Sequence, residues 1–230
     1  MVIVIAAPNP WTLAEAENFS NTFYDITIIK EREQLSQAFL EDINPEYIFF
    51  PHWSWHIPAE IYENFNCVVF HPTDLPFGRG GTPIQNLIER GFTETVISAI
   101  KVSAEIDAGD VYLKVPFSLL GGGEEILLRM QHLIFHDMLP QIVSQRLVPQ
   151  KQLGMPTVFK RRNPGMSELS PDMTIAQLFN HIRMLDIENY PKAFIRVGDY
   201  KFTFSRPALR MDGIHADVQI NKEAKYDNNT

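Results

Sequence analysis

The sequence predicts an α/β fold, a doubly wound and mostly parallel sheet followed by a small α+β C-terminal extension. Short apolar runs rich in β-branched residues, such as Val2-Ile3-Val4-Ile5, read as strands covered on both faces. These runs alternate with helical patterns from the start of the chain, the order expected of a parallel sheet. Beyond residue 150 the texture changes, as Pro, Gly and charged residues accumulate. A chain of 230 residues is long enough for one substantial core and an appendage.

Taken in order, Met1 to Ala7 reads as a strand, Thr12 to Asn21 as a helix, Tyr24 to Ile29 as a strand and Glu31 to Leu40 as a helix. Tyr47 to Phe50 is a strand, Ile57 to Tyr62 a short helical turn, and Cys67 to Phe70 another buried strand. Pro83 to Arg90 is a helix with Pro at its start and Gly91 just past its end. Val96 to Val102 and Val111 to Phe117 are strands around the turn Ile106-Asp107-Ala108-Gly109, and Glu124 to Val143 is the longest helical pattern. Ile175 to Leu185 is a helix, and Ala193 to Phe204 is a hairpin turning at Gly198-Asp199. The expected division is 1–150 for the main domain, 151–220 for a linker and small subdomain, and 221–230 for a frayed tail. The apolar hairpin residues Phe194, Ile195, Phe202 and Phe204 either cover the core or form a homodimer contact.

Charge narrows the function classes. Lys and Arg number 20 against 28 Asp and Glu, a net charge of −8, whereas broad nucleic-acid binders cluster cations to neutralise phosphates. A small or weakly charged substrate, and no nucleic acid, is the expectation. Cys67, the single cysteine, lies in an apolar run and reads as an inert buried thiol, which fits a reducing cytoplasm. The N-terminal run lacks a basic segment and a cleavage site, and nowhere do 18 apolar residues follow one another, so no membrane association is expected.

The chemistry concentrates after the strand that ends at Phe70. In an open α/β sheet, ligands bind beyond the carboxyl ends of the strands, and His71 sits there. Asp107 falls in a turn able to reach the same crevice, where a carboxylate would orient the imidazole and stabilise its cation. With His71-Pro72, Leu75-Pro76, Arg79-Gly80 and Asp107-Ala108-Gly109 in place, the sequence resembles the folate-dependent formyltransferases, over about residues 45–118 and more weakly to 160. Further on, Lys160 to Pro164, Ile182-Arg183 and Tyr190 to Phe194 look like the linker and following segment of nucleotide-sugar formyltransferases.

The resemblance implies a Rossmann-type formyltransferase fold. It implies an enzyme that moves a formyl group from N10-formyltetrahydrofolate, without a metal, to the primary amine of a nucleotide-linked amino sugar, in polysaccharide or O-antigen biosynthesis. His71 and Asp107 would be catalytic; Trp53, Trp55, Ile57 and Ile106 would line the donor pocket; Thr73, Arg79 and Gly80 would hold the acceptor. The alternatives are a methionyl-tRNA formyltransferase, for which residues 150–230 look too few and too little basic, and a catalytically impaired ligand-binding module. The last arises because Val69 stands where the family has a catalytic Asn that donates to the formyl oxygen. Losing one oxyanion donor costs about 10²–10³ in rate. Thr73 or a backbone N–H of the following loop are the candidate replacements.

Other features have plainer readings beside these. Pro51 to Pro58 holds two Trp and two His, either a wall against the pterin or packing of loop on core. The loop Gly78-Arg79-Gly80-Gly81 is either a phosphate cradle with a forked Arg79 contact or a tight turn. The pairs His52 with His56 and His132 with His136 have metal-ligand spacing but no evident third ligand, and no metal is expected.

Overall fold

The computed structural model describes residues 1–19 and 24–223. They form two compact units: Met1–Pro83 with Thr95–Phe117 and Leu127–Phe159, and Ile84–Glu94 with Ser118–Ile126 and the chain from Lys160 onward.

In the first unit, β1 (Val2–Ala6), β2 (Asp25–Ile29), β3 (Tyr47–Phe50) and β4 (Cys67–His71) pair in parallel in the order β2-β1-β3-β4. Ile3, Val4, Ile5 and Ala6 of the central strand are all 0% exposed, which is why its sequence is apolar without alternation. After the short β5 (Arg79–Gly80), β6 (Glu94–Lys101) runs antiparallel to β4, and β7 (Val111–Ser118) ends the six-stranded sheet. The sheet is therefore mixed, parallel through β4. The first unit runs past residue 150 because β8 (Val158–Phe159) returns to pair with β5.

The helices up to Ser144 follow local chemistry. α1 spans Pro10–Phe19, and the expected continuation to Asn21 lies outside the described residues. The helix expected over Glu31 to Leu40 is split into a 3₁₀ turn, Arg32–Gln34, and α2, Gln37–Ile43. Ser36 causes the break: its side chain accepts the Phe39 N–H and starts a new helix, which Asn44 ends in the left-handed region. α3 is Ala59–Tyr62 and α4 is Pro83–Glu89. The long pattern from Glu124 becomes α5 (Gly123–Leu133), a π-helical turn (Ile134–Met138) and α6 (Leu139–Ser144). Cys67 is 0% exposed, and burial pushes its thiol pKa up to about 12, so it stays a thiol.

In the second unit, α7 (Ile175–Leu185) begins with a capping box between Thr174 and Gln177. β9 (Phe194–Val197), β10 (Tyr200–Arg210) and β11 (Gly213–Lys222) form an antiparallel sheet with β10 in the centre. The second hairpin was hidden by Pro207, which has no N–H for the ladder. The register shifts there, between Ser205 and Ala208, and the Arg206 N–H turns to Asp186 Oδ2 at 2.7 Å. Asn221 and Lys222, expected in a frayed tail, pair with Lys201 and Tyr200, while residues 224–230 lie outside the described part. Ile195 and Phe204 line a cavity with Leu178 and Ile182 of α7, so this side of the hairpin covers its own unit. Arg183, 5% exposed, donates to the carbonyls of Leu119 at 2.7 Å and Gly121 at 2.8 Å, and burial lowers its pKa. No described helix is long and apolar enough to cross a membrane.

Candidate active site

His71 ends β4, and the loop behind it folds back over its ring. His71 Nε2 lies 2.8 Å from the Gly78 carbonyl, and Nδ1 lies 3.4 Å from Asp107 Oδ2. A neutral imidazole satisfies one of these acceptors, an imidazolium both. The ring is 7% exposed and the Asp107 side chain 16%, so the pair interacts with little solvent screening.

Asp107 is held from three sides. Its backbone takes φ +55, a left-handed conformation that Asp and Asn tolerate better than most residues. Its Oδ2 accepts the Gly80 N–H at 2.9 Å. Gln152 Nε2 donates to both the Asp107 and the Gly109 carbonyls at 2.8 Å. Gly109 packs so tightly that a Cβ there would stand 1.6 Å from the Lys101 carbonyl oxygen.

Arg79 does not reach toward an open crevice. Its Nε and Nη2 donate to Gln152 Oε1 at 3.2 and 2.8 Å, and its Nη1 to Glu105 Oε1 at 3.0 Å. With a side chain only 13% exposed, it braces the Asp107 turn through Gln152. The expected phosphate cradle is likewise committed inward. The N–H of Gly78 donates to Thr157 Oγ1, that of Arg79 to the Thr157 carbonyl, that of Gly80 to Asp107 and that of Gly81 to the Phe159 carbonyl. Gly78 at φ +74 admits this turn, and a Cβ there would meet the Phe159 ring at 2.7 Å.

Thr73, expected at the acceptor, is 0% exposed. Its Oγ1 donates to the Gly78 carbonyl at 3.4 Å and its own carbonyl accepts from Ser98 Oγ at 2.7 Å, so it fixes the loop from inside. Neither it nor the amides from Gly78 to Gly81 are left to replace the missing Asn. Val69 is half-buried against the cluster of Val4, Ala6, Ile48, Phe50 and Cys67, in company with Trp53 and Val102.

The aromatic loop stands beside this apolar face. Trp53 meets Phe50 edge-on at 5.5 Å and Trp55 at 4.8 Å, and its buried Nε1 has no partner. Ile57 is buried in the core at 7% exposure, while Ile106 is open at 74%, next to Asp107. His52 packs on Trp11 at 5.4 Å, and burial lowers its pKa.

No pattern in the sequence marks Gln152, Thr157 or Phe159. They lie in the Pro- and Gly-rich stretch after 150, where Gln152 and a three-residue run between Pro156 and Lys160 carry no periodic signal. Replacing Gln152 by alanine removes the only side chain joining Arg79 to the Asp107 carbonyl among the described residues. Turnover is expected to fall about tenfold to a hundredfold, with the far-UV circular dichroism unchanged; steady-state kinetics on purified protein checks it.

Comparison with known proteins extends these observations. A family model described as methionyl-tRNA formyltransferase, C-terminal domain, matches residues 164–221. A methionyl-tRNA formyltransferase of Geobacillus sp. is 26% identical over 187 residues, covering 76% of this chain and 57% of the relative. The chain thus spans little more than half the length of this curated relative. The structure described as methionyl-tRNA formyltransferase from Clostridium thermocellum has a TM-score of 0.94 and 51% identity, with 96% of this chain and 99% of that chain covered. A sugar N-formyltransferase from Shewanella sp. shares the fold alone, at a TM-score of 0.66 and 15% identity.

These findings overturn the expected nucleotide-linked amino sugar acceptor, the link to polysaccharide or O-antigen biosynthesis, and the exclusion of nucleic acid. The segment judged too short and too little basic for tRNA is the one that matches a methionyl-tRNA formyltransferase domain. The net charge misled because it sums over the whole surface, whereas recognition depends on local groups. The mixed six-stranded sheet that carries His71 at the end of β4, the separate small antiparallel sheet and the likeness along nearly the full length of the Clostridium protein agree: the chain belongs to the methionyl-tRNA formyltransferase family.

Proposed function

We propose that this protein transfers the formyl group of N10-formyltetrahydrofolate to the α-amine of methionyl-tRNA, in the cytoplasm. What supports the reading is the 51% identity to the Clostridium thermocellum protein over 99% of that chain. His71 takes a proton from the attacking amine once its Nε2 leaves the Gly78 carbonyl, and Asp107 steadies the ring through Nδ1. The amine nitrogen bonds to the formyl carbon, the bond from that carbon to N10 breaks, and the His71 imidazolium returns its proton to N10, which leaves as a neutral secondary amine. Trp53 and Trp55 offer an aromatic wall with one unsatisfied N–H, a fit for a flat heteroaromatic donor. The test is a discharge assay with the folate donor and methionyl-tRNA; intact donor and unformylated methionine after prolonged incubation would sink the proposal.

A second reading has its own observation. Val69 sits among apolar side chains and no loop amide from Gly78 to Gly81 is free, so the oxyanion lacks the donor the family uses. On this reading the protein binds the donor and turns it over slowly or not at all. Val69→Asn separates the two. It is expected to raise turnover by up to about 10²–10³ while lowering stability by about 1 kcal/mol through a half-buried amide, read by the same assay and by thermal melting.

A further inference from the structure

We propose that Glu15, His132 and His136 form a binding site for one divalent transition-metal ion of the zinc class, a site separate from the His71 and Asp107 pair. Glu15 lies on α1, His132 in the last turn of α5 and His136 in the π turn. The sequence pairs the two histidines but shows no third ligand, since Glu15 is more than a hundred residues away. The fold supplies it. One ligand atom from each of the three lies within 4.8 Å of the other two, and His136 Nε2 stands 3.1 Å from Glu15 Oε2. In a tetrahedral site with bonds of about 2.0–2.1 Å, neighbouring ligand atoms are about 3.3 Å apart. That separation is already met by His136 and Glu15, and rotation of the exposed His132 ring closes the rest.

The backbone beneath the site explains why these side chains meet. Pro140 has no N–H for the His136 carbonyl four residues back, and its ring would crowd that carbonyl in a regular helix. The chain widens into the π turn just before it. Ile134, Phe135 and Met138 of this turn are 0% exposed, and Phe135 meets Phe19 of α1 edge-on at 5.9 Å. Apolar packing therefore fixes α1 against the π turn, and the three ligands project from the rim of that contact with both helices already placed. The two imidazole rings lie 4.3 Å apart at 36°, a crowded arrangement in which two cations would repel. A shared metal ion needs both rings neutral and turns the crowding into coordination.

Two imidazoles and one carboxylate suit Zn²⁺, Co²⁺ or Ni²⁺, with water filling the open positions. Bound there, the ion clips α1 to the helix carrying the π turn. The experiment is calorimetric titration of the chelator-treated full chain with ZnCl2. One ion per chain is expected, with affinity at least about tenfold weaker in Glu15→Gln and in His132→Ala and unchanged in His215→Ala. Zn²⁺ should also raise the melting temperature of the wild type more than that of either ligand variant. Circular dichroism of the apo variants confirms their folding, since all three side chains sit on the rim. No binding to the wild type, or equal binding by Glu15→Gln and His132→Ala, would overturn the site.

Discussion

Replacing Gly109 by alanine will cost both stability and turnover. The added methyl would lie 1.6 Å from the Lys101 carbonyl oxygen and 2.8 Å from its carbon, far inside contact distance and against backbone at the end of β6. No flexible side chain can give way, so the turn itself must move. Overpacking of this kind costs about 1–3 kcal/mol. The turn carries Asp107, whose Oδ2 faces His71 Nδ1 at 3.4 Å and accepts the Gly80 N–H at 2.9 Å. A shift of about 1 Å at a positioned group is enough to lose about a hundredfold in rate. Gly122→Ala is the control, because a Cβ there meets nothing within 4 Å and its φ is unstrained. That variant should melt within about 0.5 kcal/mol of wild type. Wild-type turnover in Gly109→Ala would show that the turn geometry is not what holds Asp107.

The parts of the fold legible in the sequence are those where one residue type serves one purpose. Ile3 to Ala6 are buried on both faces, so the apolar run declares a central strand, and Pro83 and Gly91 bracket α4 because each is tolerated at that end of a helix. The π turn and the second C-terminal hairpin were not legible. In the first the apolar period continues smoothly through Ile134 and Met138 while the backbone changes; in the second Pro207 sits at a bulge that sequence alone reads as the end of a strand. The nearness of His71 to Asp107 was legible, since His71 ends a buried strand and Asp107 lies in a turn long enough to reach back to it, although β6 runs antiparallel to β4 and itself ends beside Val68. The inward use of Arg79 was not, because Gln152, its partner, is 73 residues away in a segment without pattern. The acceptor was misjudged for a related reason. Lys192, Arg196 and Arg206 in the second unit are paired with Asp186, with Glu168 and Glu223, and with Asp217, so charge totals for that segment mix groups spent on the fold with groups open to a partner.

Substituting Asp107 with asparagine will leave the fold intact and lower turnover by about 10²–10⁴, the range of a positioned acid–base group and its orienting carboxylate. Asparagine is the residue best suited to keep φ +55, and its carbonyl can still accept the Gly80 N–H. What changes is the charge beside His71 Nδ1. Rotated to keep its bond to Gly80, the amide presents only a neutral oxygen to the imidazole; rotated the other way, it presents an NH₂ group to a nitrogen that must itself donate. Either way the imidazolium that the proposed mechanism forms on His71 loses its counter-charge. The donor KM should stay near wild type, since Trp53 and Trp55 are untouched. His71→Ala removes the proposed base and should fall at least as far, and the double variant should fall no further than His71→Ala alone if, as proposed, the carboxylate acts only through the ring. Additive losses in the double variant would mean that Asp107 works on the substrate directly and not through His71.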